Sequence, residues 1–458
     1  MGVTPTMEQR LAMDVFARFL TDRSEHSVMV LRGAAGTGKT TLAASLVKTM
    51  ATLKQKQVLM APTGRAAKVF SLYAGHAAFT IHRRIYRQKT AADLSTFNLN
   101  DNLHADTLFI VDEASMISSG TGQFSETHTF GSGSLLDDLV KYVYNGRNCR
   151  LLLIGDDAQL PPVGEEGCPA LQSEMLRGYG LQVYEATLSE VLRQSRESGI
   201  LYNATMVRSG GLNVPHLRLG GFDDITVVPG DELIESLASS YSHVGVEETM
   251  VITRSNKRAN IYNQGIRNTV LDREEELSRG DRLMIVKNKY FSKPTESGEL
   301  FIANGDSCVV QRVRNVHEQY GFRFAEVTLL FPDYDDMELT SLVLLDTLRS
   351  ESPSLTREQQ EQLYNKVMDD YADIPLKSDR LKALKTDKYY NALQVKYGYA
   401  VTCHKAQGGQ WAHIYIDQGY MTDDMLTSDY IHWLYTALTR ATEKVCLVNW
   451  PQGMIEDR

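Results

Sequence analysis

An apolar run, Val28 to Leu31, leads into Gly33-Ala-Ala-Gly36-Thr37-Gly38-Lys39-Thr40, and a helix-forming stretch, Thr41 to Met50, follows at once. A strand that turns this sharply into a helix points several backbone N–H groups and the positive end of the helix dipole at one spot. Glycines let the chain close around an anion there. A triphosphate fits that spot. Gly36, Thr37, Gly38 and Thr41 belong to the cradle, Lys39 reaches the β and γ phosphates as a point charge, and the Thr40 hydroxyl enters a Mg²⁺ shell. The expected cofactors are ATP and Mg²⁺.

That loop needs a strand before it and a helix after it, and the flanking sequence supplies more of the same. Val28 to Leu31, Gln57 to Ala61, Leu108 to Val111 and Arg150 to Ile154 are short, nearly continuous apolar runs separated by helical stretches. This texture predicts parallel strands buried on both faces with helices as crossovers, an α/β layer. Ser118 to Ser134, rich in Gly, Ser and Thr, reads as a long loop. After Thr187 the texture repeats in Thr249 to Thr253, Asn256 to Arg267, Ile414 to Ile416, Tyr430 to Thr439 and Val445 to Val448, which predicts a second α/β domain. Between these, Arg282 to Phe331 carries short strands separated by turns, as in a small β-barrel. Ser341 to Asn391 reads as polar and mostly helical.

A chain of 458 residues exceeds one core, and 43% hydrophobic with 23% charged residues describes an ordinary globular protein. No run of about 18 uncharged apolar residues is present and Met1 to Leu20 is no signal peptide, so a cytoplasmic protein without membrane contact is expected. The five cysteines are scattered without a C-x-x-C pair, which argues against disulfides and zinc. A net charge of −9 speaks against a uniformly basic nucleic-acid binder but leaves room for a locally basic groove. Ile81 to Lys89 interleaves cations with Ile85 and Tyr86, and reads either as a solvated helix face or as part of such a groove.

Two further strand ends carry chemistry. Leu108-Phe-Ile-Val-Asp112-Glu113 ends in two acids; beside a phosphate loop the first sits near Mg²⁺ and the second polarises a water for in-line attack on the γ-phosphate. Leu151 to Ile154 runs into Gly155-Asp156-Asp157-Ala158-Gln159-Leu160-Pro161-Pro162. There the Gln159 amide is placed to touch both the γ-phosphate and whatever lies across a cleft.

At this point the chain resembles the superfamily 1B DNA helicases of RecD-like and Dda-like type, over both α/β domains. Thr6-Met-Glu-Gln9, Ala61-Pro62-Thr63, Thr80-Ile81-His82, Val111-Asp112-Glu113, Gly155-Asp-Asp-Ala-Gln159, Leu188-Ser-Glu-Val-Leu-Arg193, Val401-Thr402-Cys403-His404-Lys405 and Tyr435-Thr-Ala-Leu-Thr439-Arg440 follow that family's motif order. The resemblance implies two RecA-like parallel-sheet motor domains, a small wedge insertion and an SH3-like β-barrel insertion. In those terms the first motor domain spans 1–187 with the wedge at about 83–105. The second spans 188–270 and 395–458, and the barrel with a helical extension spans 271–394.

It also implies that Gln9 reads adenine and that Arg193 and Arg440, supplied by the second domain, reach the γ-phosphate across the cleft with Lys39, Asp112, Glu113 and Gln159. Pro62, Thr63, Thr80 and His82 on one domain, with Thr402, His404 and Lys405 on the other, are the expected contacts to single-stranded DNA. His82 reads equally as a structural residue. Phe97 either stacks on the terminal base at a hairpin tip or anchors the hairpin. The implied activity is ATP-dependent 5′–3′ translocation on single-stranded DNA with duplex unwinding, by a monomer acting on single strands and junctions. A single-strand-binding protein or replication and repair factors are candidate partners. The alternatives are an RNA translocase or protein-displacing ATPase, and a phosphate-loop kinase or switch without motor activity.

Overall fold

The first apolar run, β1 (Ser27–Gly33), shows why a buried strand reads as unbroken apolar sequence. Val28 and Val30 enter one core with Leu136 and Leu139, while Met29 and Leu31 enter the opposite one with Phe16, Phe19 and Val47. The computed structural model describes residues 4–88, 96–120, 129–191, 197–211, 214–295 and 298–456. Around β1 the first lobe places α1 (Met7–Thr21), α2 (Lys39–Thr52), β2 (Lys56–Ala61), α3 (Gly64–Ala74), β3 (Ala78–Thr80), α4 (Ile81–Ile85), β4 (Tyr86–Gln88), β5 (Thr96–Leu99), β6 (Thr107–Val111), β7 (Thr129–Phe130), α5 (Leu135–Tyr144), β8 (Arg150–Gly155), α6 (Ser173–Gly178) and β9 (Gln182–Leu188). Six strands form one parallel sheet in the order β3-β2-β6-β8-β1-β9. The chain ends of β6, β8 and β1 therefore stand side by side at one edge of the layer, where open α/β sheets place their ligands.

The Gly/Ser/Thr-rich stretch is not wholly loop. Within it β7 pairs in parallel with β5, which in turn pairs with β4, so the small wedge is three-stranded. The Ser132 amide is tied to the Asp138 carboxylate at 3.0 Å.

The second lobe contains α7 (Gly199–Ser209), β10 (Ile225–Val228), α8 (Leu233–His243), β11 (Thr249–Thr253) and α9 (Asn256–Gly265), which runs on as a π-helical turn, Ile266–Val270. The barrel segment follows with β12 (Arg282–Ile285), β13 (Lys289–Thr295), β14 (Gly298–Ile302), β15 (Ser307–Gln319), β16 (Phe322–Phe331), β17 (Met337–Leu344), α10 (Arg357–Asp370), α11 (Lys377–Thr386) and β18 (Leu393–Tyr397). The chain then returns through β19 (Ala400–Thr402), α12 (Cys403–Ala406), β20 (Trp411–Asp417), α13 (Ser428–Leu438) and β21 (Ala441–Val448) to complete the parallel sheet β10-β21-β20-β11-β19.

Strands β12, β15, β16, β17 and β18 close into a barrel. Because β18 is its last stave, the barrel ends at Tyr397, three residues beyond the expected limit of 394. The stretch 341–391 also begins in β17 before turning helical. Leu363, Val367 and Leu384 of its helices cover Phe322, Phe324 and Leu344 of the barrel.

One buried carboxylate fastens the barrel to the second lobe. Asp281, fully buried, accepts from Arg267 Nε at 3.0 Å, Arg273 at 2.8 Å, the Ser278 amide at 2.7 Å and the Tyr399 hydroxyl at 2.8 Å. The residues come from both the outgoing and the returning chain. All five cysteines are buried and free, and no described helix is long and apolar enough to cross a membrane.

Candidate nucleotide and nucleic-acid site

The phosphate loop is held in shape by its own atoms and by Gln9. Gly36 and Gly38 adopt φ of 76° and 77°, a left-handed backbone open to glycine, and Gly38 stands at the N-cap of α2. Thr37 Oγ1 donates to Ala34 O at 2.8 Å, and Lys39 Nζ folds back onto Gly33 O at 2.8 Å. Gln9, in a capping box with Thr6 at the start of α1, sends Nε2 to Thr37 O at 3.2 Å. A residue expected at the base thus also braces the loop. Thr40 and Thr41 follow in the first turn of α2, with Thr41 exposed.

Two strands away, β6 delivers Asp112 and Glu113. Asp112 Oδ1 accepts from the Glu113 amide at 2.9 Å. Glu113 sits at φ 53°, a left-handed conformation costing a non-glycine residue on the order of 1 kcal/mol, of the kind that clusters at functional sites. Burial, then the neighbouring Glu113 charge, pushes the Asp112 carboxyl up to about 6, and the Lys39 ammonium pulls the other way. From the loop after β8, Gln159 is 3% exposed. Its Oε1, Glu113 Oε2 and Ser115 Oγ lack hydrogen-bond partners among the described residues. Buried acceptors without partners are rare enough to mark a place for an absent donor. Together with the glycine-lined cradle, they fit a triphosphate with a hydrated divalent cation.

The second lobe closes over this edge. A Cβ on Gly36 would lie 3.1 Å from Leu201 Cδ1 of α7. From α13, the Tyr435 hydroxyl accepts from the Ala35 amide at 2.9 Å and donates to Asp156 Oδ2 at 2.6 Å. Its neighbours add three more links: Thr436 Oγ1 accepts from Leu160 N at 2.8 Å, Gln407 Nε2 donates to Leu160 O at 2.6 Å, and the His432 ring meets Ala158 O at 2.8 Å. Arg440 is bonded within its own lobe instead, donating to Thr436 O at 3.2 Å and to Gly409 O and Thr439 Oγ1 at 3.3 Å. Among the described residues it makes no hydrogen bond to the phosphate loop. Arg193 lies outside the described residues.

A second seam joins the lobes where single-stranded DNA is expected. Thr63 caps α3, accepting from Ala66 N at 3.2 Å, beside half-buried Pro62. Gly408, with φ 72°, approaches so closely that its Cβ would lie 3.0 Å from Ala66 Cβ and 3.1 Å from Thr63 Oγ1. Arg65 donates to Gln410 O at 2.7 Å and lies over the Trp411 ring at 4.8 Å. Thr402 ends β19 with no side-chain cap bond, and His404 is exposed on α12. Lys405 is half-buried without an ion-pair partner among the described residues, and desolvation lowers its ammonium to about 8.

Three expected contacts are placed differently. Thr80 is buried and spends its hydroxyl capping α4 through Arg83 N at 3.3 Å. His82 packs its ring against Tyr86, centroids 5.6 Å apart, and burial lowers it to about 4, so it offers no cation to a phosphate at neutral pH. Phe97 is the second residue of β5, its backbone paired with Gln88 and Phe130, and stands in the strand instead of at the hairpin tip. Tyr435 and Asp156 lie inside the motifs of Arg440 and Gln159, but a phenol and a second carboxylate carry no local signal of a bond between lobes. Leu201 carries no pattern that marks it, whereas Arg65 falls inside the Ala61 to Lys68 motif, whose strand contacts the sequence assigns only to Pro62 and Thr63.

Residues 7–218 match the family model described as an AAA domain, and residues 397–448 match that of a UvrD-like helicase C-terminal domain. The chain is 24% identical over 441 residues to the ATP-dependent RecD2 DNA helicase of Deinococcus radiodurans, covering 93% of this chain and 48% of that protein. It therefore spans about half the length of that relative. It is 23% identical over 343 residues to the ATP-dependent DNA helicase dda of Enterobacteria phage T4, covering 70% of this chain and 69% of that one. Among solved structures, that of the Pif1 helicase from Bacteroides in complex with ADP-AlF3 and ssDNA superposes with a TM-score of 0.50 at 16% identity, covering 100% of this chain and 95% of that one. At that identity the likeness is one of fold.

Proposed function

We propose that this chain, which belongs to the superfamily 1B helicases, hydrolyses ATP to move 5′ to 3′ along single-stranded DNA and unwinds duplex ahead of it. The supporting observation is that one edge of the first sheet carries Lys39, Asp112, Glu113 and Gln159 while helix α13 of the other lobe crosses to the same loop. Lys39 turns from Gly33 O to the phosphates. Thr40 and Asp112 would hold a divalent cation, which would supply positive charge beside the phosphates. Glu113 accepts the proton of the attacking water, Gln159 reads the γ-phosphate with its amide N–H group while its unpaired Oε1 is free to accept from that water, and Gln9 orients the base. Arg440 and Arg193 supply positive charge from the second lobe as the cleft tightens. Pro62, Thr63, Thr402, His404 and Lys405 line the path of the strand along the seam between the lobes. The preference for DNA is supported by the names of the relatives, both DNA helicases, and the polarity is what the resemblance to the superfamily 1B helicases implies.

The test compares ATP hydrolysis with and without DNA and RNA oligonucleotides, then strand displacement on forked duplexes with a 5′ or a 3′ tail. Stimulation by DNA and displacement only from the 5′ tail are the expected results. Stimulation without displacement leaves a translocase, and a preference for RNA or for the 3′ tail overturns the assignment. Lys39→Ala is expected to abolish hydrolysis; wild-type turnover in that variant sinks the nucleotide-site assignment.

A further inference from the structure

The two lobes share one hydroxyl. Tyr435, 1% exposed, belongs to α13 of the second lobe, yet both its hydrogen-bond partners belong to the first: the Ala35 amide in the phosphate loop at 2.9 Å and the Asp156 carboxylate after β8 at 2.6 Å. Asp156 is itself 1% exposed, and its other oxygen accepts from the Ala158 amide at 3.1 Å, one residue before Gln159. Three linked bonds thus run from the phosphate loop through Tyr435 to the turn that aims Gln159. On either side of Tyr435 on the same helix, His432 and Thr436 hold Ala158 and Leu160. Gln407, at the end of the segment that carries His404 and Lys405, holds Leu160 from the other direction.

A neutral hydroxyl accepting from a phosphate-loop amide stands where the loop's own ligand is an anion. Ala35 N–H has one hydrogen to give, and a triphosphate oxygen is a stronger acceptor than a phenol. When Ala35 turns to the phosphate, Tyr435 loses a donor and keeps only Asp156. The balance of contacts on α13 then changes with what the phosphate loop holds.

From this geometry we infer that Tyr435 is a positioning residue that reports the state of the phosphate loop to the Gln159 turn and, through α13 and Gln407, to the strand-binding segment of the second lobe. The inference rests on the motor reading above and assigns within it the route by which nucleotide alters grip on the strand. The ring packs in the core and needs no change; the hydroxyl alone carries the signal.

The experiment uses the full chain with Tyr435→Phe. Two quantities are read: kcat and KM for ATP at saturating single-stranded DNA, and the ratio of single-stranded DNA Kd without and with a non-hydrolysable ATP analogue. The expected result is a fall in kcat of about tenfold, KM within about twofold of wild type, and a Kd ratio that collapses to within about twofold of unity. Retention of the wild-type Kd ratio overturns the inference, whether or not kcat falls, because a purely structural or purely catalytic loss leaves that ratio in place. If Tyr435→Phe folds poorly, Asp156→Asn, which preserves shape while weakening the same contact, is measured by the same ratio and the same criterion. A wild-type chain without DNA-stimulated hydrolysis refutes the motor reading instead, and that arm is run first.

Discussion

At the scale of single residues, the site is built from positions where the ordinary choice of side chain is unavailable. Gly36 combines φ 76° with Leu201 Cδ1 at 3.1 Å from where a Cβ would stand. Gly36→Ala therefore strains the backbone and pushes on α7 together, at a cost on the order of 1–3 kcal/mol. Thermal unfolding is expected to show a lower midpoint, and titration with a fluorescent ATP analogue at least a tenfold weaker Kd; unchanged affinity would mean that α7 does not bear on the loop. Glu113 and Gln159 make the complementary point, since each keeps a buried oxygen without a partner among the described residues, which folding alone gives no reason to leave so. The sequence disclosed these residues because their motifs are local. It was silent on Leu201, whose role depends on a lobe more than 150 residues distant in the chain.

At the scale of elements, the barrel meets the first lobe through Asp306, whose Oδ2 accepts from the Tyr334 hydroxyl at 2.5 Å and the Ala303 amide at 2.6 Å, and whose Oδ1 would lie 2.7 Å from a Cβ on Gly64 at the start of α3. Burial pushes this carboxyl up to about 7, against the pull of those hydrogen bonds. A carboxyl raised in the folded state binds a proton there that the unfolded chain releases, between about pH 4 and pH 7. The folded state is penalised above that window and relieved as pH falls through it. Asp306→Asn cannot ionise, so its stability relative to wild type is expected to be higher at pH 8 than at pH 5.5 by about 2 kcal/mol, read from urea unfolding at both values. A difference that does not change with pH would remove Asp306 from the account. The elements legible beforehand were those with an unambiguous environment: β1, β2, β6 and β8 are buried on both faces and read as apolar runs. Strand β9 lies at the sheet edge with a half-buried, mixed pattern, and β3 has only three residues, so neither carried a period to detect. The barrel's turns disclosed β12, β15 and β16. Strand β18 escaped because it returns after two helices, with the polar residues Gln394 and Lys396 buried in it.

At the scale of the whole molecule, a net charge of −9 coexists with a seam where Lys405 has no acidic partner among the described residues. Binding of a polyanion to such a body depends on a few local cations, and its salt dependence counts them. Lys405→Ala is expected to weaken binding of oligonucleotides regardless of their sequence and to make the slope of log K against log salt shallower by about 0.7. An unaltered slope would place the strand elsewhere. The domain order was readable from the distribution of motifs, whereas the contact of Arg65 with Trp411 and the docking of Asp306 beside Gly64 were not, since packing between lobes leaves no local pattern. The joint made by Asp281 has a mechanical corollary. With the outgoing and returning chains riveted to a single buried anion, the barrel has no slack at its root and turns with the second lobe as an outrigger. At about 3.3 Å per residue, the thirteen residues of β15 reach roughly 40 Å. If the lobes swivel at the nucleotide cleft as proposed, the motion would become a wide sweep at the far rim and would first have to unseat Asp306 from α3.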